Sequence, residues 1–581
     1  MIKAEKLSYG FPQKDLYDKI AFTLEEGRHC AVIGSNGSGK TTLAELIYQP
    51  EKFTFEGTLT RENVGRIGYV TQFAVRDKDQ SVTVTDYLME DFEAVRREID
   101  RVCARMETAE DLEPLMEEYQ KWMDELESID GDNCEQNIRR KLQLAELEDK
   151  GDLQLALLSG GEYKLVQVIR QMLRRPGLLI MDEPDVFLDF ENLNGLRDLI
   201  NAYQGTLLVV THSRYLLNHC FDQLWHLEGG ELQEFDGNFK TYQFKLLEKK
   251  IQVQEKSNLY AGELQRAEEM VERLRDAATE FVDPTLGRML KGKVAYLERW
   301  KTMQIKQPFV EIQSPAIRLP AAPAVEDDTV LLTVEDYGLS FDEKLLENVS
   351  FAIKAKQKIA IVGPNGTGKT SFLREIRANG NPAIRYSEAA QAGFFSQLQE
   401  EALNSENTIR DEFLDAGLET RTEVEDYLAQ YCFGPEGLGR KISQLSGGEK
   451  NLLQLAKLAL EEKNLLLLDE PSSHLDTFAQ IALEQAIADY EGAILMVSHD
   501  FYTVANCMDS VLFVENGTVR PMSIRAFRKM IYKHHFDKEY LELETRRKEL
   551  EARIARFLEV KDTENAQKLL DELAPIVEAM N

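Results

Sequence analysis

The stretches GSNGSGKT at Gly34 to Thr41 and GPNGTGKT at Gly363 to Thr370 decide the fold. Each follows a short apolar run, His29 to Ile33 or Lys358 to Val362, and each opens a predicted helix. Glycines remove side chains, so backbone N–H groups converge on an anion at the helix start. The pattern therefore predicts one phosphate cradle made of Gly34, Ser35, Asn36, Gly37, Ser38, Gly39, Lys40, Thr41 and Thr42. It predicts a second made of Gly363, Pro364, Asn365, Gly366, Thr367, Gly368, Lys369, Thr370 and Ser371. Lys40 and Lys369 are expected on the β- and γ-phosphates of ATP, and the hydroxyls of Thr41 and Thr370 on Mg²⁺.

Outward from the loops the motifs repeat. Lys40 and Lys369 lie 329 positions apart, while Ser159/Ser446, Asp182/Asp469, Asp189/Asp476 and His212/His499 are each 287 apart. A constant offset means two copies of one domain. From Gln72 to Ser159 there are 87 positions but from Gln397 to Ser446 only 49, so the first copy carries an insertion there. The expected class is α/β, with two P-loop ATPase domains in tandem at residues 1–242 and 329–536. A helical insertion at about 84–148, a helical hairpin linker with a proline-rich exit at 243–328 and a C-terminal helical extension at 537–581 complete it.

LLIMDEP and LLLLDEP each end an apolar strand pattern in two carboxylates. Asp182 and Asp469 are expected to hold the metal. Glu183 and Glu470 are the candidate general bases, because phosphoryl transfer is mostly positioning and charge stabilisation. His212 in VVTHS and His499 in MVSHD end strand-like runs in register with the other motifs, where an imidazole reaches a γ-phosphate.

LSGGE at Leu158 to Glu162 and at Leu445 to Glu449 resembles the signature of ATP-binding-cassette ATPases. The resemblance implies a head-to-tail sandwich in which Ser446, Gly447 and Gly448 close over ATP on the first loop, and Ser159, Gly160 and Gly161 over ATP on the second. It implies that Gln72 in IGYVTQ and Gln397 in AGFFSQ coordinate the metal and the lytic water. Asp189 and Asp476 belong by the same resemblance to the loops linking the sites. Adenine is expected on Phe341 in the second domain and on Tyr9 or Phe11 in the first. Both sites read as hydrolytic, although PDVFLD at Pro184 to Asp189 stands where the second copy has PSSHLD.

Two cassettes fused without a transmembrane segment look like the ABC-F branch of soluble translation factors. LSGGEK, PSSHLD, SHDFYTV and GNFKTY at Gly237 to Tyr242 carry that likeness. From Tyr242 to about Met303, Leu247, Ile251, Leu259, Leu264, Met270 and Leu274, then Met289, Val294 and Leu297, mark two amphipathic helices. Pro284 and Gly287 mark the reversal between them. In the ABC-F branch the hairpin tip approaches transfer RNA in the ribosome. The returning arm here carries Arg288, Lys291, Lys293, Arg299, Lys301 and Lys306 in a chain of net charge −32.

That net charge opposes indiscriminate polyanion binding. Six scattered cysteines without a CxxC pair predict neither a disulfide framework nor a cysteine metal site. The absence of a long apolar run and of a signal-type start predicts a cytoplasmic protein without stable membrane association. The expectation is a monomer with paired cassettes that binds ribosomal and transfer RNA, as a translation factor or in antibiotic resistance. A DNA-transaction ATPase and a detached subunit of a membrane transporter are the alternatives. A tail with more acids than bases speaks against DNA.

Overall fold

The computed structural model describes residues 1–11, 14–62, 64–72, 81–109, 111–186, 188–280, 284–302, 312–323, 326–340, 344–515, 517–531 and 538–580. Its side chains are undescribed also at 14, 277–280, 284–287, 299–300, 302, 531 and 538–542. Phe341, Lys306 and the side chain of Arg299 thus lie outside the described residues. The chain divides into two compact units, 1–235 with 312–533, and 236–311 with 534–581.

The first unit holds both cassettes. Each is built on a six-stranded sheet whose strand order is the same. In the first the order is Ile67–Val70, Leu178–Asp182, Thr206–Val210, His29–Ile33, Gln223–Glu228, Glu231–Asp236. In the second it is Ala392–Phe395, Leu465–Asp469, Ala493–Val497, Lys358–Val362, Ser510–Glu515, Thr518–Ser523. The first five strands of the second sheet are parallel, and Thr518–Ser523 closes it antiparallel. Continuous apolar runs such as LLIMD and LLLLD form central strands because both sheet faces are covered, and every residue of both is buried. A three-stranded antiparallel sheet accompanies each, Ile2–Phe11 pairing with Lys14–Leu24 in the first cassette and Val330–Ser340 with Lys344–Lys354 in the second.

The insertion folds as helices Val84–Met106, Glu113–Ser128 and Cys134–Leu144. Asp91 anchors it to the cassette through Arg170 and Arg174, at 3.1 and 2.7 Å. The proline-rich exit, where described, lies against the second cassette, Ala316 N–H donating to Gln430 O and Ala322 N–H to Lys463 O.

The second unit comprises helices Phe239–Glu280, Pro284–Thr302, Lys538–Glu559 and Thr563–Met580. The two linker helices are joined by Lys301 to Glu268 at 2.9 Å, as a fold-back requires. Linker and tail, distinct in the sequence reading, share one core: Ile251 packs with Leu550, Ile554, Ala566, Leu570 and Leu573. Burial of each such leucine or isoleucine side chain contributes about 1.5–3 kcal/mol. The expected apolar stripe is corrected along the first linker helix. Leu259 and Met270 are exposed, and the buried and half-buried positions run Leu264, Ala267, Val271, Leu274. That spacing of three and four keeps one helical face in register, and Leu259 and Met270 fall off it. Among the described residues no helix is long and apolar enough to cross a membrane.

Candidate functional site

The loops after strands His29–Ile33 and Lys358–Val362 turn into helices Lys40–Tyr48 and Lys369–Ala378 through Gly39 and Gly368, at φ 101° and 87°. L side chains are strained there, which explains a glycine before each lysine. Both lysines are buried and fold back over their own loops. Lys40 Nζ donates to Gly34 O and Ser35 O at 3.1 and 2.9 Å, and Lys369 Nζ to Gly363 O and Pro364 O at 2.9 and 2.6 Å. Burial lowers the pKa of each.

Beside each loop stand the strand-end carboxylates. Thr41 Oγ1 donates to Asp182 Oδ1 at 3.2 Å and Thr370 Oγ1 to Asp469 Oδ1 at 3.0 Å. Burial pushes both aspartates up to about 6. Glu183 and Glu470 follow with positive φ of 44° and 51°, a costly conformation held by N–H bonds to Val210 O and Val497 O. Burial raises Glu183, and pushes Glu470 to about 8. Gln72 Nε2 donates to Glu183 Oε2 at 2.6 Å, and Glu470 Oε2 accepts the His499 N–H at 3.2 Å.

A divalent cation is tested by this donor set. Each site offers a threonine hydroxyl, an aspartate and a glutamine, all hard oxygen ligands, and Asp469 Oδ2 is buried without a partner. Among the described residues no cluster of three or more His, Cys, Asp or Glu side chains forms a cage. The residues therefore fit Mg²⁺, which keeps waters and phosphate oxygens in its shell.

Each loop faces the other cassette's signature. A cleft of about 1220 Å³ is lined by Asn36, Lys40, Thr41, Gln72 and Glu183 on one side and by Ser446, Gly447 and Gly448 on the other. Asn36 Nδ2 donates to His474 O at 2.9 Å across it. A cavity of about 550 Å³ is lined by Gly366, Lys369, Thr370 and Glu470 together with Gly160 and Gly161. There the N–H of Asn365 donates to Asp189 Oδ2 at 3.1 Å. Arg214 of the first cassette adds a buried ion pair to Asp500 of the second at 3.1 Å.

Not every expected residue lines these spaces. Ser159 lies outside the second cavity, whereas Ser446 lines the first cleft; both cap their helices, Gly160–Leu173 and Gly447–Ala459, in reciprocal boxes with Glu162 and Glu449, so the glutamate of LSGGE orients the signature rather than facing the cleft. Gly34, Ser35, Ser38, Gly363, Pro364 and Thr367 support the loops from outside the two spaces, whereas Thr42 lines the first and Ser371 the second. Phe11 and Leu16 line the first cleft, while Tyr9 packs edge-on against Phe11 and Phe53. Gln397 lines both spaces. His212 and His499 both line the second cavity, which also reaches Glu183; the charge of Lys40 acts on His212 as that of Lys369 acts on His499. Burial drives His212 well below its usual pKa and His499 to about 3, so both rings are neutral.

Sequence reasoning missed several contacts. His474 contributes a backbone oxygen, which no residue pattern signals. Glu228 accepts the N–H and Oγ–H of Ser35 at 2.9 and 2.8 Å, while the second loop has Pro364, which lacks that N–H. Lys164, on the signature helix, reaches the carbonyls of Thr71 and Gln72.

A family model described as ABC transporter matches residues 17–186 and 346–473. The chain is 28% identical over 518 residues to the uncharacterized ABC transporter ATP-binding protein YfmM of Bacillus subtilis, covering 86% of this chain and 96% of that one. It is 28% identical over 502 residues to the energy-dependent translational throttle protein EttA of Escherichia coli, covering 84% and 87%. ABC transporter F family member 2 of Arabidopsis thaliana is 27% identical, with 89% and 76% covered. Among solved structures, the complex of archaeal ribosomal stalk protein aP1 and archaeal ribosome recycling factor aABCE1 superposes with a TM-score of 0.52 at 19% identity, covering 91% and 92%; that likeness concerns the fold.

Proposed function

This chain belongs to the ABC transporter family, in its F branch, and is an ATPase, and on that premise we propose that its cassettes grip two ATP molecules jointly to act on the ribosome. The observation that carries the joint grip is reciprocal: Gly160 and Gly161 line the cavity of Lys369, and Gly447 and Gly448 the cleft of Lys40. Triphosphate draws each loop and the opposing signature together, because the signature helix also offers its N-terminus to the anion. Thr41, Asp182 and Gln72 would hold Mg²⁺ at one site and Thr370, Asp469 and Gln397 at the other, where it would supply charge neutralisation for the phosphoryl group. Glu183, oriented by the Gln72 amide, and Glu470, held by the His499 N–H, accept the proton of the attacking water. Neutral His212 and His499 supply hydrogen bonds without adding charge.

Similarity to a translational throttle protein supports a translation factor as the reading of the whole chain. Arg288 and Lys291 are exposed on the second linker helix in a chain of net charge −32, which supports transfer or ribosomal RNA as its target. The test uses the double variant Glu183→Gln, Glu470→Gln, which holds ATP without hydrolysing it, in sedimentation with ribosomes at moderate salt. ATP-dependent co-sedimentation is expected. A variant that stays free of ribosomes removes the ribosomal reading and leaves the ATPase.

A further inference from the structure

Lys164 is 3% exposed on helix Gly160–Leu173, whose first residues line the second cavity. Taking an ammonium out of water is costly unless its donors are used. Here Nζ donates to the carbonyls of Thr71 and, at 2.9 Å, of Gln72. These two residues follow strand Ile67–Val70 beyond its ladder, so the strand itself does not fix them. Gln72 in turn places its amide on Glu183 at 2.6 Å. The charge of Lys164 also acts on Asp182, Glu183 and Asp185. Asp185 is itself bonded by Thr211 Oγ1 at 2.6 Å.

The second cassette is tied by different chemistry. Asn451 stands 287 residues beyond Lys164, and Ser472 beyond Asp185. Asn451 Nδ2 donates to Ser473 O at 2.5 Å, and its Oδ1 accepts from Gln399 Nε2 at 2.8 Å. Gln399 also donates to Gly447 O at 3.0 Å. Both cassettes thus fasten the segment after the edge strand to the signature helix, the second with neutral amides and the first with a buried cation. Charge-assisted bonds are roughly twice as strong as neutral ones.

We propose that Lys164 is a positioning residue for hydrolysis on the first cassette's loop: its ammonium sets the Thr71–Gln72 backbone, and so the Gln72 amide, against Glu183. The same lysine ties that centre to the helix presenting Gly160 and Gly161 to the other nucleotide, so the two sites feel one another through a single side chain. The inference rests on Glu183 being the base of the first site.

The test measures single-turnover ATP hydrolysis by the full chain carrying Glu470→Gln, so that the turnover observed belongs to Glu183. Lys164→Asn, which installs the second cassette's residue, is expected to lower the rate by about tenfold or more with ATP affinity within about twofold. Lys164→Gln, neutral but long enough to keep an amide near the carbonyls, should fall between. Lys164→Arg has N–H donors for both carbonyls and should restore most of the rate. Combined with Gln72→Ala, Lys164→Asn should cost less than about twofold, because both act through one amide. A lysine that merely holds the fold would lower the melting temperature and add its full effect to Gln72→Ala. Unchanged rates in Lys164→Asn or Lys164→Gln, or fully additive losses, overturn the proposal. If Lys164→Asn fails to fold, Lys164→Gln against Lys164→Arg decides. Adding Glu183→Gln must abolish the turnover; if it does not, the reading of the site itself is wrong rather than the role of Lys164.

Discussion

Asp189 divides its carboxylate between the two cassettes: Oδ2 accepts the N–H of Asn365 at 3.1 Å, while Oδ1 accepts the N–H of Asn192 at 3.0 Å and caps its own helix. Asp476 accepts hydrogen bonds within its own cassette, from Phe478 and Ala479 N–H, while its charge acts across on Lys40. Asp189→Ala is therefore expected to cost about 1 kcal/mol of stability as a lost cap and also to lower ATPase activity about tenfold. Asp476→Ala should lose the cap and the charge that acts on Lys40 but no hydrogen bond to the other loop, so a smaller loss of activity is expected. Urea denaturation and steady-state ATPase assays of the two variants check the contrast.

Gly448 has no room for a side chain. A Cβ there would lie 1.9 Å from Asn36 Nδ2 and 2.4 Å from His474 O. Gly448→Ala must push the first loop and the signature apart, and a hundredfold or greater loss of ATPase activity is expected, on the order of 3 kcal/mol of transition-state stabilisation. At Gly160 a Cβ meets nothing within 4 Å. Gly160→Ala should keep the melting temperature of the nucleotide-free protein, whereas Gly448→Ala lowers it, as differential scanning fluorimetry would read.

Burial alone would raise the pKa of Asp91, but hydrogen bonds from Arg174 and Arg170 outweigh it and hold the carboxyl at about 2, below its ordinary 3.8. A depressed folded-state pKa contributes stability that is present above 3.8 and lost as pH falls through about 2. Asp91→Asn should thus destabilise the protein by about 1–3 kcal/mol at neutral pH, leaving two guanidinium groups without their carboxylate. The deficit should hold down to about pH 4 and close below it, in denaturation at matched ionic strength.

Leu550 is wholly buried in the core it shares with Ile251. Leu550→Ala is expected to cost about 2–5 kcal/mol in that helical unit. Amide hydrogen exchange should speed up around residues 247–254 and 550–573, while ATPase activity stays within about twofold of the parent. Loss of protection confined to the tail would contradict the shared core.

Legibility followed locality. Phosphate binding needs contiguous residues of fixed type, so Gly34 to Thr41, the Asp182–Glu183 pair and the 287-residue offset are legible in the sequence. The capping roles of Ser159 and Glu162 were equally local, yet were hidden beneath their resemblance to a signature. His474 was invisible because it acts through its carbonyl, and Lys164 because its partners are carbonyls 92 and 93 residues earlier. Amphipathicity marks an apolar face on the linker helices, while the tail reads only as helical, so a core shared by Ile251 and Leu550 is not legible. Leu259 and Met270 misled for the related reason that periodicity marks candidates for burial without naming the surface that covers them.

The shared helical core has a consequence for how the chain is made. Ile251 is synthesised 315 residues ahead of Ala566, and Leu570 and Leu573, which also cover it, come later still. Domains generally mature in order of emergence. The nucleotide-binding halves can therefore acquire their sheets while the root of the linker still waits, and its seal is set only after both sheets have been made. A nascent chain halted before residue 566 would carry an unroofed apolar strip, a natural mark for a chaperone to read.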